Sequence, residues 1–190
     1  MKNMKVGFYL TVILLISFPI TTSIATNNNS ELYRNQEKHF SIYFPNGWSI
    51  EKGRNPHVVV KSRSIDKIAS IIITHIKLKG YIPITKTLTP KDMVKKYRDS
   101  GWGIKILNSG ETNFWNEEAL FIKFLATINH MGKVIKMIMW QIAFNHFNES
   151  YSIGLTVGGS TNEIVNTNFN YYEPYFRRSL ATFTLDDWNR

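Results

Sequence analysis

Cysteine is absent from all 190 residues. That excludes a thiolate nucleophile, a Cys-ligated zinc or iron–sulfur site, a disulfide scaffold and a lipid-modified cysteine behind a leader. Proline and glycine are few, at 6 and 11, so the chain is neither collagen-like nor a proline-rich spacer. Acidic residues are scarce too: 14 Asp+Glu stand against 23 Lys+Arg, for a formal net charge of +9. Charged residues make up only 19%, and hydrophobic ones 43%, a balance that an intrinsically disordered chain does not have. The length suits one domain, since a single core typically serves roughly 100–200 residues.

The first 25 residues read as a secretory leader. Lys2 and Lys5 form a positive start, Val6 to Ile20 are uncharged and mostly apolar, Pro19 breaks a helix, and Ser23-Ile24-Ala25 offers small residues for cleavage. Such a leader needs roughly 7–15 apolar residues, whereas a spanning helix needs about 20. The expectation is therefore an exported protein, periplasmic or secreted, with no stable transmembrane segment after leader removal. The alternative is a chain tethered to the membrane by an uncleaved leader. Residues 26–34 then form a polar tether, 35–185 one domain and 186–190 a tail. Without Lys2 and Lys5 the remaining chain carries a charge of +7.

Phe40 to Phe44 reads as a strand, Pro45-Asn46-Gly47 as a turn, and Trp48 to Ile50 as a second strand. His57 to Lys61 and Ile68 to Leu78 are β-branched runs, the second too continuously apolar for an edge position. Thr89, Pro90 and Asp92 mark a helix start, with Met93, Val94 and Tyr97 facing inward and Gly101 as its stop. A meander follows. Gly103–Leu107 and Glu111–Trp115 are expected to flank a turn at Asn108-Ser109-Gly110, and Glu118–Ile128 and Lys133–Phe144 to be long strands. Tyr151 to Val157 alternates cleanly with period two. Ser160 and Glu163 spell a capping box, and Val165, Phe169, Tyr172, Phe176, Leu180 and Phe183 form one helical stripe. Pro174 predicts a kink or a restart at Glu173.

This order, with the run Phe40-Ser41-Ile42-Tyr43-Phe44-Pro45-Asn46-Gly47-Trp48 and the closing Ser179-Leu180-Ala181-Thr182-Phe183, resembles the PsbP-like superfamily, including its exported bacterial members of the DcrB type. The resemblance spans nearly the whole chain after the leader. It implies an α+β fold, an antiparallel β-sheet flanked by helices as an α/β/α sandwich. It also implies a role in binding or assisting other proteins. The matching residues are packing motifs and bring no chemistry with them.

Motifs for chemistry are sparse. His39, His57, His75, His130 and His146 lack helical metal-site spacing, although His57 and His75 lie on neighbouring strands where a two-His site is the alternative to single hydrogen-bonded histidines. No G-x-S-x-G and no glycine-rich phosphate loop is present. No catalytic residue, metal or cofactor is therefore assigned, and the protein is not expected to be an enzyme. The surface assigned to a partner consists of Lys91, Lys95, Lys96 and Arg98 on the first helix, with Tyr171 and Tyr175 on the last. The alternative for the four cations is a solvated helix face, since lysines also occur on the strands (Lys61, Lys77, Lys123, Lys136). The expected partner is an envelope protein or an anionic surface, and not nucleic acid. The expected function is a non-enzymatic binding or assembly accessory of the bacterial envelope. A small-ligand or metal-dependent enzyme with a site formed only in three dimensions, and a chaperone for secreted effectors, are the alternatives.

Overall fold

The structure is a computed structural model that describes residues 31–53 and 55–186. The leader, the tether up to residue 30 and the tail from 187 lie outside the described residues. Among the described residues, ten strands and two α-helices run in the order β1 (Glu31–Asn35), β2 (Phe40–Phe44), β3 (Ser49–Lys52), β4 (Val58–Arg63), β5 (Ala69–Lys77), α1 (Pro90–Asp99), β6 (Gly103–Phe114), β7 (Glu117–His130), β8 (Lys133–His146), β9 (Glu149–Gly159), α2 (Asn162–Ala181) and β10 (Thr184–Leu185). A single 3-10 turn, Ile84–Lys86, precedes α1. A seven-stranded antiparallel sheet has the order β3-β4-β5-β9-β8-β7-β6, and a small sheet has the order β1-β2-β10. This is the expected α+β sandwich, with the small sheet as an addition.

Alternation along β7 and β8 sorts the core into two layers. Ala119, Ile138, Ile142 and Phe144 join Tyr151, Ile153, Leu155 and Val157 of β9 beneath α2 and the small sheet. Leu120, Ile122, Phe124, Ala126, Met139 and Ala143 point the other way, against Met93, Val94 and Tyr97 of α1. Period-two side chains on one strand must face opposite sides, so α1 and α2 cover opposite faces of the sheet. β5 lies inside the sheet, as its composition predicted, with Ala69, Ile71 and Ile73 fully buried.

The capped start of α1 matches expectation: the Thr89 hydroxyl accepts from the Asp92 amide and the Asp92 carboxylate accepts from the Thr89 amide. Four boundaries differ. Glu31 to Arg34, assigned to the tether, pair with β2. Gly103 to Phe114 form one strand rather than two, because a bulge at Leu107 absorbs the irregularity and Asn108-Ser109-Gly110 continue the ladder against β7. The tight turn comes later, at Trp115 and Asn116, both at positive φ. The cap of α2 is Thr161, one residue past Ser160, and its side chain accepts from the Ile164 amide. Finally, α2 runs through Pro174 without restarting at Glu173, since burial of its whole stripe outweighs one lost backbone bond.

Candidate functional site

The six residues assigned to a partner surface do not lie on one face of the molecule. Lys91, Lys95, Lys96 and Arg98 are exposed on the outer side of α1, where Lys95 is bonded to Asp99 at 2.5 Å. Tyr171 is exposed and Tyr175 half-buried on α2, their rings 5.8 Å apart. Because the two helices cover opposite faces, the sheet separates the basic group from the aromatic one.

A recess lies instead on the α2 side of the sheet, where α2 covers β8 and β9 and leaves β6 and β7 open. It measures about 390 Å³ and is lined by Asn108, Thr112, Phe121, Lys123, Trp140, Ile142, Glu173 and Arg177. Gly110 sits opposite Phe121 in the register, and a Cβ there would come within 3.1 Å of the Phe121 ring. Its missing side chain lets that ring lie across β6 and form the floor. The rim is charged and aromatic at once. Lys123 Nζ lies 3.7 Å from the Phe169 ring centroid and 4.0 Å from a Glu173 oxygen. The Arg177 guanidinium lies 4.6 Å from the Trp140 ring and bonds Glu173 at 2.6 and 2.9 Å. Burial lowers the Lys123 ammonium below the usual lysine range, with Glu173 opposing and Arg177 reinforcing.

Two cations around one carboxylate, above half-buried aromatic rings, suit a partner that brings an acidic group beside an apolar one. Sequence reasoning counted Lys123 only among the lysines dispersed over the strands and did not assign it to a site. The signal that could have found it is parity: Lys123 shares a face with Phe121 and Leu125, which pack against the core. Glu173 and Arg177 lie four residues apart, and helical spacing places them together.

The histidines are used locally. The His75 amide donates to the His57 carbonyl at 2.9 Å, so the two backbones meet. The His75 ring, however, turns to Glu149 at 3.4 Å and packs on Tyr151 with centroids 5.1 Å apart. The Tyr151 hydroxyl donates to Glu149 at 2.5 Å, with the Lys38 carbonyl 3.0 Å from the same oxygen. Burial drives the Tyr151 phenol upward, helped by Glu149. His146 Nδ1 lies 2.7 Å from Glu117, which also accepts from Tyr81 at 2.9 Å. Among the described residues no group of three or more His, Cys, Asp or Glu is arranged to hold a metal ion, and no helix is long and apolar enough to cross a membrane.

No family model and no curated protein matches the chain. Solved structures do match in fold. The solution structure of cyanobacterial PsbP (CyanoP) from Synechocystis sp. is similar with a TM-score of 0.64 at 12% identity, covering 90% of this chain and 98% of that one. The Saccharomyces cerevisiae Ran-binding protein Mog1p follows with a TM-score of 0.55 at 10% identity, over 85% and 97%. LpqN, involved in cell envelope biogenesis of Mycobacterium tuberculosis, gives 0.52 at 12% identity, over 84% and 91%. The fold is PsbP-like, as the opening and closing motifs implied.

Proposed function

We propose that this protein is an exported, non-enzymatic accessory of the bacterial envelope that binds an acidic segment of a partner protein in the recess between α2 and β6–β7. The observation that carries the reading is the recess itself, with half-buried Trp140 and Phe121 beneath the Lys123–Glu173–Arg177 rim. Interfaces favour aromatic and arginine anchors in this arrangement. Support from fold analogy is coarser: the similar structures include a Ran-binding protein and a protein involved in envelope biogenesis. Export is supported by the leader pattern of residues 1–25. A non-catalytic reading draws support from how some of the titratable groups are spent, since the Tyr151 hydroxyl bonds Glu149 and the buried His75 ring lies 3.4 Å from the same carboxylate group.

Recovery of partners from envelope extract on the immobilised protein tests the proposal. Arg177→Glu, which reverses the rim charge, and Thr112→Arg, which fills the recess, should each cut recovery by about an order of magnitude. Equal recovery with both variants would remove the recess from the account. Cell fractionation tests export separately, and retention in the cytosol would refute that part alone.

A further inference from the structure

The end of the sheet formed by the β6–β7 and β8–β9 turns carries a second feature that the proposed function does not use. Trp115 is at the tip of the β6–β7 turn and Phe147 at the tip of the β8–β9 turn, and both have positive φ, 57° and 48°. A bulky side chain in that backbone region is unfavourable, and turn chemistry prefers Asn or Gly there. Phe147 nonetheless stands 61% exposed and Trp115 37% exposed. Tyr81 and Ile82 join them from the loop after β5, 50% and 48% exposed. The contacts place all four together. Tyr81 donates to Glu117, two residues from Trp115. Glu117 pairs with His146, whose ring meets the Phe147 ring edge-on at 4.4 Å. Asn145 holds the Ile82 carbonyl at 2.7 Å, and Leu78 donates to the Asn148 carbonyl at 2.6 Å. Trp115 Nε1 donates to the Phe183 carbonyl at 2.5 Å, which fixes its ring.

The charge around this apolar group is mostly positive. Lys77, Lys79 and Lys86 are exposed on the adjoining segment. Against them stand Glu118, which keeps its charge while accepting from the Thr85 hydroxyl, Glu117, which lies 2.7 Å from His146, and Glu37, which is paired with Lys38 at 2.9 Å. We infer that this end docks on an anionic lipid bilayer, with Phe147, Tyr81, Ile82 and Trp115 entering the headgroup region and the lysines facing the lipid phosphates. Tyr and Trp are enriched at that boundary; here the polar atoms of Tyr81 and Trp115 are bonded within the protein, so what they offer the bilayer is ring surface. The four side chains ride on turn tips and do not line a recess. A bilayer accepts such tips without shape complementarity, whereas a folded protein partner would need a matching surface. Lysines next to shallowly inserted apolar groups give the combined apolar and electrostatic attraction of peripheral membrane proteins.

The absence of cysteine makes the test direct. A single environment-sensitive fluorophore on Asn148→Cys reports this end of the full chain, and the same label on Met131→Cys reports the β7–β8 turn. With vesicles of phosphatidylglycerol and phosphatidylethanolamine, emission should shift to the blue at 148 and stay unchanged at 131. Phosphatidylcholine vesicles should give little shift at either. In sedimentation with the anionic vesicles, Tyr81→Ser with Phe147→Ser should weaken the docking of this end by about ten-fold or more, and Lys77→Glu with Lys79→Glu should weaken it in low salt. Lys95→Glu with Lys96→Glu on α1 should not. No shift at 148 in the presence of anionic vesicles would overturn the inference, including where the chain is held to the vesicle through its first 25 residues. A shift that grows with protein concentration without lipid would also overturn it, in favour of a second copy as the occupant.

Discussion

His75 shows how a single buried side chain ties stability to acidity. Burial opposes its charged form and holds its pKa below the ordinary 6.5, while Glu149 pulls the other way and Lys38 and His39 add to the lowering. In the unfolded chain the same ring takes up a proton near 6.5, so between that value and the lower folded one the unfolded state binds more protons. The resulting stabilisation is complete above 6.5 and is lost as the pH falls toward the folded value. Thermal melts across that range should show the melting temperature dropping on acidification, and His75→Gln should flatten this part of the curve. An unchanged slope in the variant would assign the effect to other groups. Trp48 illustrates the packing side: it is buried, with its ring 5.7 Å from Tyr172 in an edge-on contact. Trp48→Ala should cost about 3–5 kcal/mol in denaturant unfolding, and a midpoint equal to wild type would take Trp48 out of the core. Asp66 lies exposed at the edge of this corner and accepts from the Tyr172 hydroxyl. Burial works to raise its carboxyl pKa, but hydrogen bonds from Ser64, Tyr172 and the Ile68 amide more than offset that and hold it low.

At the level of elements, the approach of α2 to the sheet depends on one missing side chain. A Cβ on Gly159 would fall 2.6 Å from the Val165 amide nitrogen and 2.8 Å from its Cα, in the first turn of α2. Backbone atoms cannot rotate away as a side-chain end can, so Gly159→Ala should destabilise by about 1–3 kcal/mol. Chemical denaturation checks this, and wild-type stability would mean that the helix can shift freely. α1 offers a milder case. Thr89→Ala removes its capping hydroxyl and should cost about 1 kcal/mol, read the same way. Much at this scale was legible in the sequence. Period-two alternation identified β9, the stripe from Val165 to Leu180 identified the buried side of α2 (Phe183, read as its last member, is buried but lies beyond the helix end at Ala181), and Thr89-Pro90 fixed the start of α1. The failures share a cause: local turn and breaker signals yielded to longer-range pairing. Asn108-Ser109-Gly110 reads as a turn, yet β7 supplies a ladder partner for each of the three. Pro174 reads as a break, yet Phe169, Tyr172, Phe176 and Leu180 keep the helix docked through it.

Across the whole molecule, two helices on opposite faces of a seven-stranded sheet explain why the sequence-derived surface came apart. Spacing along one helix is visible in the sequence, but which face of the sheet each helix covers depends on strand order, which spacing does not encode. Lys91 to Arg98 and Tyr171 to Tyr175 were each located correctly on their own helix, and the sheet then kept them apart. The recess is the converse. Lys123 of β7, Trp140 of β8, Thr112 of β6 and Arg177 of α2 are distant in sequence, and only the antiparallel register joins them. The motif residues Phe40, Ile42, Phe44 and Trp48 are all buried, so they serve the packing of the fold and offer no surface for recognition. The central claim is that a partner segment occupies the recess. Photo-crosslinking in living cells tests it most directly, with a photoreactive amino acid at Thr112 on the recess rim and, in parallel, at Lys91 on the opposite face. A discrete heavier adduct at 112, absent at 91 and lost when Arg177→Glu is added, is the predicted result. No adduct at 112, or the same adducts from both positions, would contradict it.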